Sequence, residues 1–438
     1  MTPRRVRASF MLLTFLQSLA VGFPMGLIVL FVQGRGIDLL QVGVLIAIQS
    51  ATVVLLELPT GGLADVWGRK RVLLLSFAAG ALSSGIALAA FSFPVFAAAM
   101  ILSGFSRALH SGTAEAMFVD ALQEVEPEAD LQQGFSLVMT AGGLGIAIGA
   151  LAGGFVPSFF SGLPAEGTAI FTPLAMPVAC ALGLWLLTCV GTTFLLHEPV
   201  RTSPPAELEG VRAIALIVRQ SIQFGLKDRL TLTLISAISM TSLAFLAIEV
   251  YWQPHFADLQ DAAQPDTRAF GAIFAVTLFL AAGGSALAGL FGRLTGRRYA
   301  LANALVTGLL GVAILIFAAQ TAFSFALVGF WLVHLAYGVT QPTFQALFNS
   351  AIPADKRATL ISFQSLTTRA GMLVGGLGLG FLASRFSIPW AFRASAATLL
   401  AVVPLYLYAA SLPSRSPASP RPGPGAPAEA GAGAVLHD

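Results

Sequence analysis

Twelve apolar stretches, each long enough to cross a bilayer, make up most of this chain of 438 residues. They lie at roughly 8–33, 39–60, 71–92, 94–118, 135–160 and 168–196, and again at 231–253, 270–292, 299–319, 322–347, 358–383 and 388–411. About 20 such residues in a helix traverse the hydrocarbon core. Charged residues are only 10% of the chain, against about 25% in a soluble protein, too few to coat a water-soluble particle. Lipid must solvate much of the exterior, and a backbone in lipid satisfies its own hydrogen bonds by coiling into helices. The expected class is an all-α membrane protein.

The basic residues orient it. With a cytoplasmic N-terminus, 18 of the 24 Lys and Arg fall on the inner side. Only Arg35, Arg268 and Arg385 lie in outer loops, and Arg107, Arg369 and Arg393 lie within spans. Orientation follows this loop bias, and an even number of spans returns the C-terminus to the cytoplasm. The net charge of +3 comes from short groups between apolar runs, not from one basic face, so no nucleic-acid partner is expected. Arg4, Arg5 and Arg7 precede the first run as in a signal peptide, but the run continues to about Gln33 without a small-residue cleavage site, so a retained span is expected. Cys180 and Cys189 share one apolar run. Nine residues along a helix separate them by roughly 13 Å, too far for a disulfide.

Two halves are discernible. Residues 1–196 and 230–411 are each expected to form a six-helix bundle, joined by a polar connector at 197–229 and followed by a disordered tail at 412–438. In the connector Leu208, Val211, Ile214, Val218, Ile222 and Leu226 recur every three or four residues, the stripe of an amphipathic helix lying on the inner membrane surface. The tail is rich in Pro, Ala, Gly and Ser. The halves echo each other at an offset of about 229: Gly61-Gly62-Leu63-Ala64-Asp65-Val66-Trp67-Gly68-Arg69-Lys70 aligns with Gly289-Leu290-Phe291-Gly292-Arg293-Leu294-Thr295-Gly296-Arg297-Arg298. Parallel repeats about an axis along the membrane normal are a transporter architecture.

The first of these stretches, continued by Arg71-Val72-Leu73, resembles the signature between the second and third spans of the major facilitator superfamily. It departs at Val66, where the family often has Arg. The resemblance covers about residues 8–411 and implies twelve transmembrane helices in two pseudo-symmetric bundles. It also implies that Gly61, Asp65, Gly68, Arg69 and Lys70 form a latch between the halves on the cytoplasmic side. Independently of the family, Gly68 permits a tight reversal, and Asp65 is an anion placed to meet a helix N-terminus.

Ionisable residues inside spans are costly and mark candidate function. The fourth span holds Arg107, His110, Glu115 and Asp120. Read as one helix, Arg107 and His110 share a face and Glu115 lies two turns below, toward the cytoplasm. Glu115 is read as a proton- or substrate-coupling acid, the competing reading being a structural ion pair with a buried arginine. The aligned residue of the second half is Gln345. Glu249 is placed near the outer end of the seventh span, before Tyr251 and Trp252, which suit an interface belt. There it either reaches water or, as the family implies, lines the cavity. His334 in the tenth span is either a titrating group or a hydrogen-bonded core histidine, and Glu57 is read as structural. In the fifth span Gly145, Gly149, Gly153 and Gly154 resemble the superfamily's antiporter signature, with Ala150 where that signature has proline. Glycines also give a smooth face for helix contact.

The expected function is proton-coupled export of small hydrophobic or amphiphilic compounds, of the multidrug-efflux antiporter type, by alternating access. The expected setting is a bacterial inner membrane, the protein working as a monomer, with small-molecule substrate, protons and lipid as its partners. No metal or cofactor is expected. A proton-coupled uptake symporter is the alternative. A membrane-embedded enzyme is remote, since the sequence shows no metal-ligand cluster, nucleophile elbow or phosphate loop.

Overall fold

The computed structural model describes residues 2–164, 169–198, 227–260, 266–352 and 357–412, the side chains of 57–62, 65, 66, 357–359 and 362 excepted. The connector helix expected between 207 and 226 and the tail beyond Leu412 lie outside the described residues, as do the side chains of Glu57 and Asp65. Among the described residues, twelve helical segments are long and apolar enough to cross a membrane.

The first span is α1 (Pro3–Met25) continued by the short α2 (Ile28–Gln33). Then come α3 (Leu39–Trp67) and α4 (Arg69–Leu88), and the fourth span is again two pieces, α5 (Phe93–His110) and α6 (Thr113–Val125). The half ends with α7 (Leu131–Phe159) and α8 (Met176–Leu195). The second half contributes α9 (Arg229–Gln260), α10 (Thr267–Leu294), α11 (Tyr299–Ala318), α12 (Phe323–Ala351), α13 (Arg357–Arg385) and α14 (Ile388–Ser411).

Local chemistry sets several boundaries. Asp38 opens α3 with a reciprocal cap, its carboxylate accepting from the Gln41 amide at 2.8 Å while the Gln41 side chain accepts from Asp38 N–H at 3.1 Å. Such caps satisfy the N–H groups that the first turn leaves unpaired. Gly68, at φ +100°, turns α3 into α4 in a conformation that only glycine adopts cheaply.

Within the first half α1 lies on α7 and α8, α3 on α5, and α4 on α5 and α8. The second half repeats the scheme: α9 lies on α13 and α14, α10 on α12, and α11 on α12 and α14. The halves meet where α3 crosses α13 and α7 crosses α10. Large apolar side chains such as Phe194 and Phe279, 74% and 62% exposed, cover the outside, as lipid contact requires.

One sequence expectation is overturned here. Tyr251 and Trp252 are each 1% exposed, in the heart of the second bundle and not in an interface belt. Trp252 lies 5.3 Å from Phe330 and 5.8 Å from Phe270, ring centre to ring centre. The sequence places the end of the seventh span at about Gln253, but α9 runs on to Gln260.

Candidate functional site

The fourth span is broken at mid-membrane. Ser111 leaves helical geometry and Gly112 takes a left-handed φ of +74°. The break corrects the reading of the fourth span as one helix that carries Arg107, His110 and Glu115. Arg107 and His110 now lie in the last turn of α5, and Glu115 lies in the first turn of α6. Cations suit a helix C-terminus and anions an N-terminus, so these charges stabilise the two helix ends that the break creates. Glu115 lies close enough to His110 for their charges to interact. The His110 ring is half-buried and faces Phe77, 5.8 Å between ring centres, while Arg107 is exposed.

A charge within reach of Arg107 comes from the other bundle. Glu249 is exposed and lies within electrostatic reach of Arg107. It is 11 residues from the end of α9, and Arg107 is 14 residues from the start of α5. At 1.5 Å per residue both sit about 17–21 Å from the helix ends opposite the termini, so Glu249 is not at a span end. Two exposed charges at that depth, one from each bundle, mark the space between the bundles as the candidate cavity.

Tyr337 and Gln341, which the sequence reading did not single out, complete the wall. Tyr337 stacks on Phe245 at 3.5 Å and 4°, its hydroxyl pairs with the Gln341 side chain, and it also feels the Glu249 charge. Phe245 and Glu249 are four residues apart and share a face of α9, so the stacked pair lies one turn from the carboxylate. A tyrosine and a glutamine four residues apart in an apolar span were the available signal. His334 lies buried on the same span. It is 8% exposed, Nδ1 lies 3.0 Å from its own helix's Phe330 carbonyl, and Phe245 and Phe330 present their rings to it.

The cavity is closed at the end away from the termini. A Cβ on Gly154 of α7 would lie 2.7 Å from Gly271 Cα of α10, so these backbones touch. On the same face of α7, three turns toward the termini, a Cβ on Gly143 would meet nothing within 4 Å. The second crossing has the same character: Gly43 of α3 lies against the Gly376 carbonyl of α13, with Gly380 alongside. The bundles touch at one end and splay toward the end that carries the termini.

The remaining motif glycines act within one bundle. Cβ atoms on Gly145 and Gly149 would lie 2.6 and 2.7 Å from the Phe15 and Leu19 carbonyls, and one on Gly153 would strike the Phe23 carbonyl, all on α1. Only Gly154 reaches across. The described part of the latch motif is likewise internal to the first bundle. Arg69 pairs with Asp120 and donates to the Ala116 carbonyl at 2.7 Å, while the Lys70 ammonium donates to the Thr193 and Leu196 carbonyls at 2.8 and 2.6 Å. Gly61 lies within α3 and its surroundings are outside the described residues. Among the described residues no cluster of three His, Cys, Asp or Glu side chains is placed to hold a metal.

A family model described as Major Facilitator Superfamily matches residues 10–301 and 230–438. An uncharacterised MFS-type transporter of Bacillus subtilis (strain 168), YxaM, is 23% identical over 398 residues, 90% of this chain and 92% of that one. Among solved structures, the nucleoside transporter NupG superposes with a TM-score of 0.73 at 16% identity, covering 93% of this chain and 100% of its own. A bacterial homologue of the human lysosomal transporter Spinster, inward-facing and unoccupied, gives 0.70 at 15% identity, covering 93% and 95%. A POT family transporter in complex with 5-aminolevulinic acid gives 0.68 at 12% identity, covering 92% and 95%.

Proposed function

The chain belongs to the major facilitator superfamily, and from that premise we propose that it exports small amphiphilic compounds in exchange for protons. The observation that carries the proposal is that Arg107 and Glu249, exposed residues of opposite bundles, lie within electrostatic reach of each other. A charge at mid-membrane costs several kcal/mol unless it is paired. Protonation of Glu249 removes one member of the pair and weakens the attraction between the bundles, so proton occupancy and bundle position are linked. Glu249, and not Glu115, is the acid assigned to the proton, because Glu115 serves its own helix end beside His110.

The cavity wall suits an amphiphile. The Tyr337–Phe245 stack presents an aromatic plane one turn from the carboxylate, and Gln341 adds a polar amide beside it. By the loop-charge bias the termini lie in the cytoplasm. The cavity then opens inward, loads substrate from the cytoplasm or inner leaflet, and releases it when the bundles rock. Gly61, Asp65, Gly68, Arg69 and Lys70 would close the inner side in the opposite state, and a monomer in a bacterial inner membrane suffices for the cycle.

The test is efflux of a fluorescent amphiphile from vesicles holding purified protein, with and without a pH gradient. Glu249→Gln should bind the dye but lose the dependence on the gradient, whereas Glu115→Gln should keep it. Gradient-driven efflux by Glu249→Gln at the wild-type rate overturns the assignment.

A further inference from the structure

The first span is interrupted between Met25 and Ile28. In an unbroken helix the Val29 N–H would donate to the Met25 carbonyl, the ordinary bond to the fourth preceding residue. Here that bond is replaced. The side chain of Gln253, from α9 of the opposite bundle, stands between the two groups: its Nε2 donates to the Met25 carbonyl at 2.8 Å, and its Oε1 accepts from Val29 N–H at 2.9 Å. Gln253 is 1% exposed and Val29 5%, whereas Met25 is 37% exposed, so it is the Val29 N–H that has no water as an alternative. A primary amide is the side chain that carries a donor and an acceptor in one plane, and side-chain insertion into the helical ladder is a recognised cause of a kink.

We infer that Gln253 is a positioning residue of the transport cycle, one that makes the shape of the first span depend on which end of the cavity is closed. The inference rests on the reading that the bundles alternate. While the far end is closed, Gln253 occupies the break and both backbone groups are satisfied. When the bundles part there, the amide must withdraw. The Val29 N–H and the Met25 carbonyl then pair with each other, and α1 and α2 join into one helix. The amide thereby favours the closed far end, and straightening of the first span offsets its loss in the open one. The neighbouring contacts are of the same bundle-to-bundle kind: the Tyr251 hydroxyl, two residues before Gln253, lies 3.5 Å from the Leu39 carbonyl of α3. Gly26, at the break, faces the backbone of Phe270 and Gly271 of α10.

The experiment measures bundle separation directly, in nanodiscs without substrate or gradient, so that it stands apart from any failure of the transport assignment. Spin labels at Ser92 and Thr321, both exposed and on opposite bundles at the far end, report one gap. Labels at Glu128 and Arg298, both exposed near the termini end, report the other, in a background with Cys180 and Cys189 replaced. Gln253→Leu removes the partner of the buried Val29 N–H, and of the Met25 carbonyl, only when the far end is closed. It should shift the closed-to-open ratio roughly ten- to a hundred-fold toward far-end opening, lengthening the first distance and shortening the second. Gln253→Asn, too short to reach both groups, should move the same way by less and guards against a Leu variant that fails to fold. Lower thermal stability with both distances unchanged would mean that Gln253 is structural only, and the inference falls.

Discussion

The two ends of the molecule are held by different forces. The far end is sealed by backbone against backbone, at Gly154 with Gly271 and at Gly43 with Gly376, with the Gln253 amide bridging the bundles. At the termini end three cations of the first half hold partners in their own bundle: Arg69 on Asp120, Lys70 on the end of α8, and Arg7 on Glu126 at 2.7 Å. Close packing is short-ranged and bistable, because a gap of even 1 Å forfeits much of the dispersion energy. Ion pairs confined to one bundle travel with it. The first end is therefore suited to opening and closing as a gate, and the second keeps each bundle rigid while it moves.

The largest expected effect breaks the packed end. Gly154→Leu sets a branched side chain against the Gly271 backbone, which cannot yield as a side chain would. Overpacking typically costs about 1–3 kcal/mol, or roughly a ten- to hundred-fold change in population. The distance between Ser92 and Thr321 should lengthen accordingly. Gly143→Leu, on the same face of α7 but where a Cβ meets open space, should leave that distance unaltered. If the two variants behaved alike, the contrast between a packed and a splayed end would be wrong.

How much of this was legible beforehand differs between elements. The twelve spans follow from hydrophobicity, which a single sequence displays fully, and the two-fold repeat from the aligned stretches at 61–70 and 289–298. Both charges of the site, Arg107 and Glu249, were also visible, since each is conspicuous in an apolar run. Their pairing was not, because it joins residues 142 positions apart in different bundles and depends on where α9 ends. That end was misplaced for a physical reason: Gln253 and His255 look like the onset of a loop. They are instead 1% and 4% exposed, the glutamine satisfied by the first span and the histidine ringed by Phe256, Phe317 and Phe392. The breaks at Gly112 and after Met25 were hidden because glycine within a span reads equally as a packing residue or as a turn.

A second prediction concerns what keeps the packed end rigid. Arg35, 8% exposed, donates to the Ala90 and Ile170 carbonyls at 3.3 and 2.7 Å. Its guanidinium lies over Phe91 at 4.0 Å and near Phe31 at 5.2 Å. It thus ties α2 to the two far-end loops of its own bundle, and burial lowers its pKa from the ordinary arginine value. Arg35→Met keeps the stem but orphans the carbonyls, and should cost about 1–3 kcal/mol, read as a lower unfolding midpoint. Arg35→Lys should recover only part, since an ammonium cannot span both carbonyls and lie flat on a ring. Full recovery by lysine would reduce the site to a simple charge.

The smallest effect is expected at the other end. Asp120 is 47% exposed at its side chain and Arg69 22%, so solvent screens their attraction. Exposed pairs contribute about 0.2–1 kcal/mol, and Asp120→Asn should lower stability by no more than that, with a dependence on salt. Arg69→Gln should cost somewhat more, because the Ala116 carbonyl also loses its donor. Neither change should alter the Glu128–Arg298 distance in this state, since both partners belong to the first bundle and move as one. A shift of that distance in Asp120→Asn, without loss of fold, would show that the charged end does hold the bundles together, and the division of labour between the two ends would have to be abandoned.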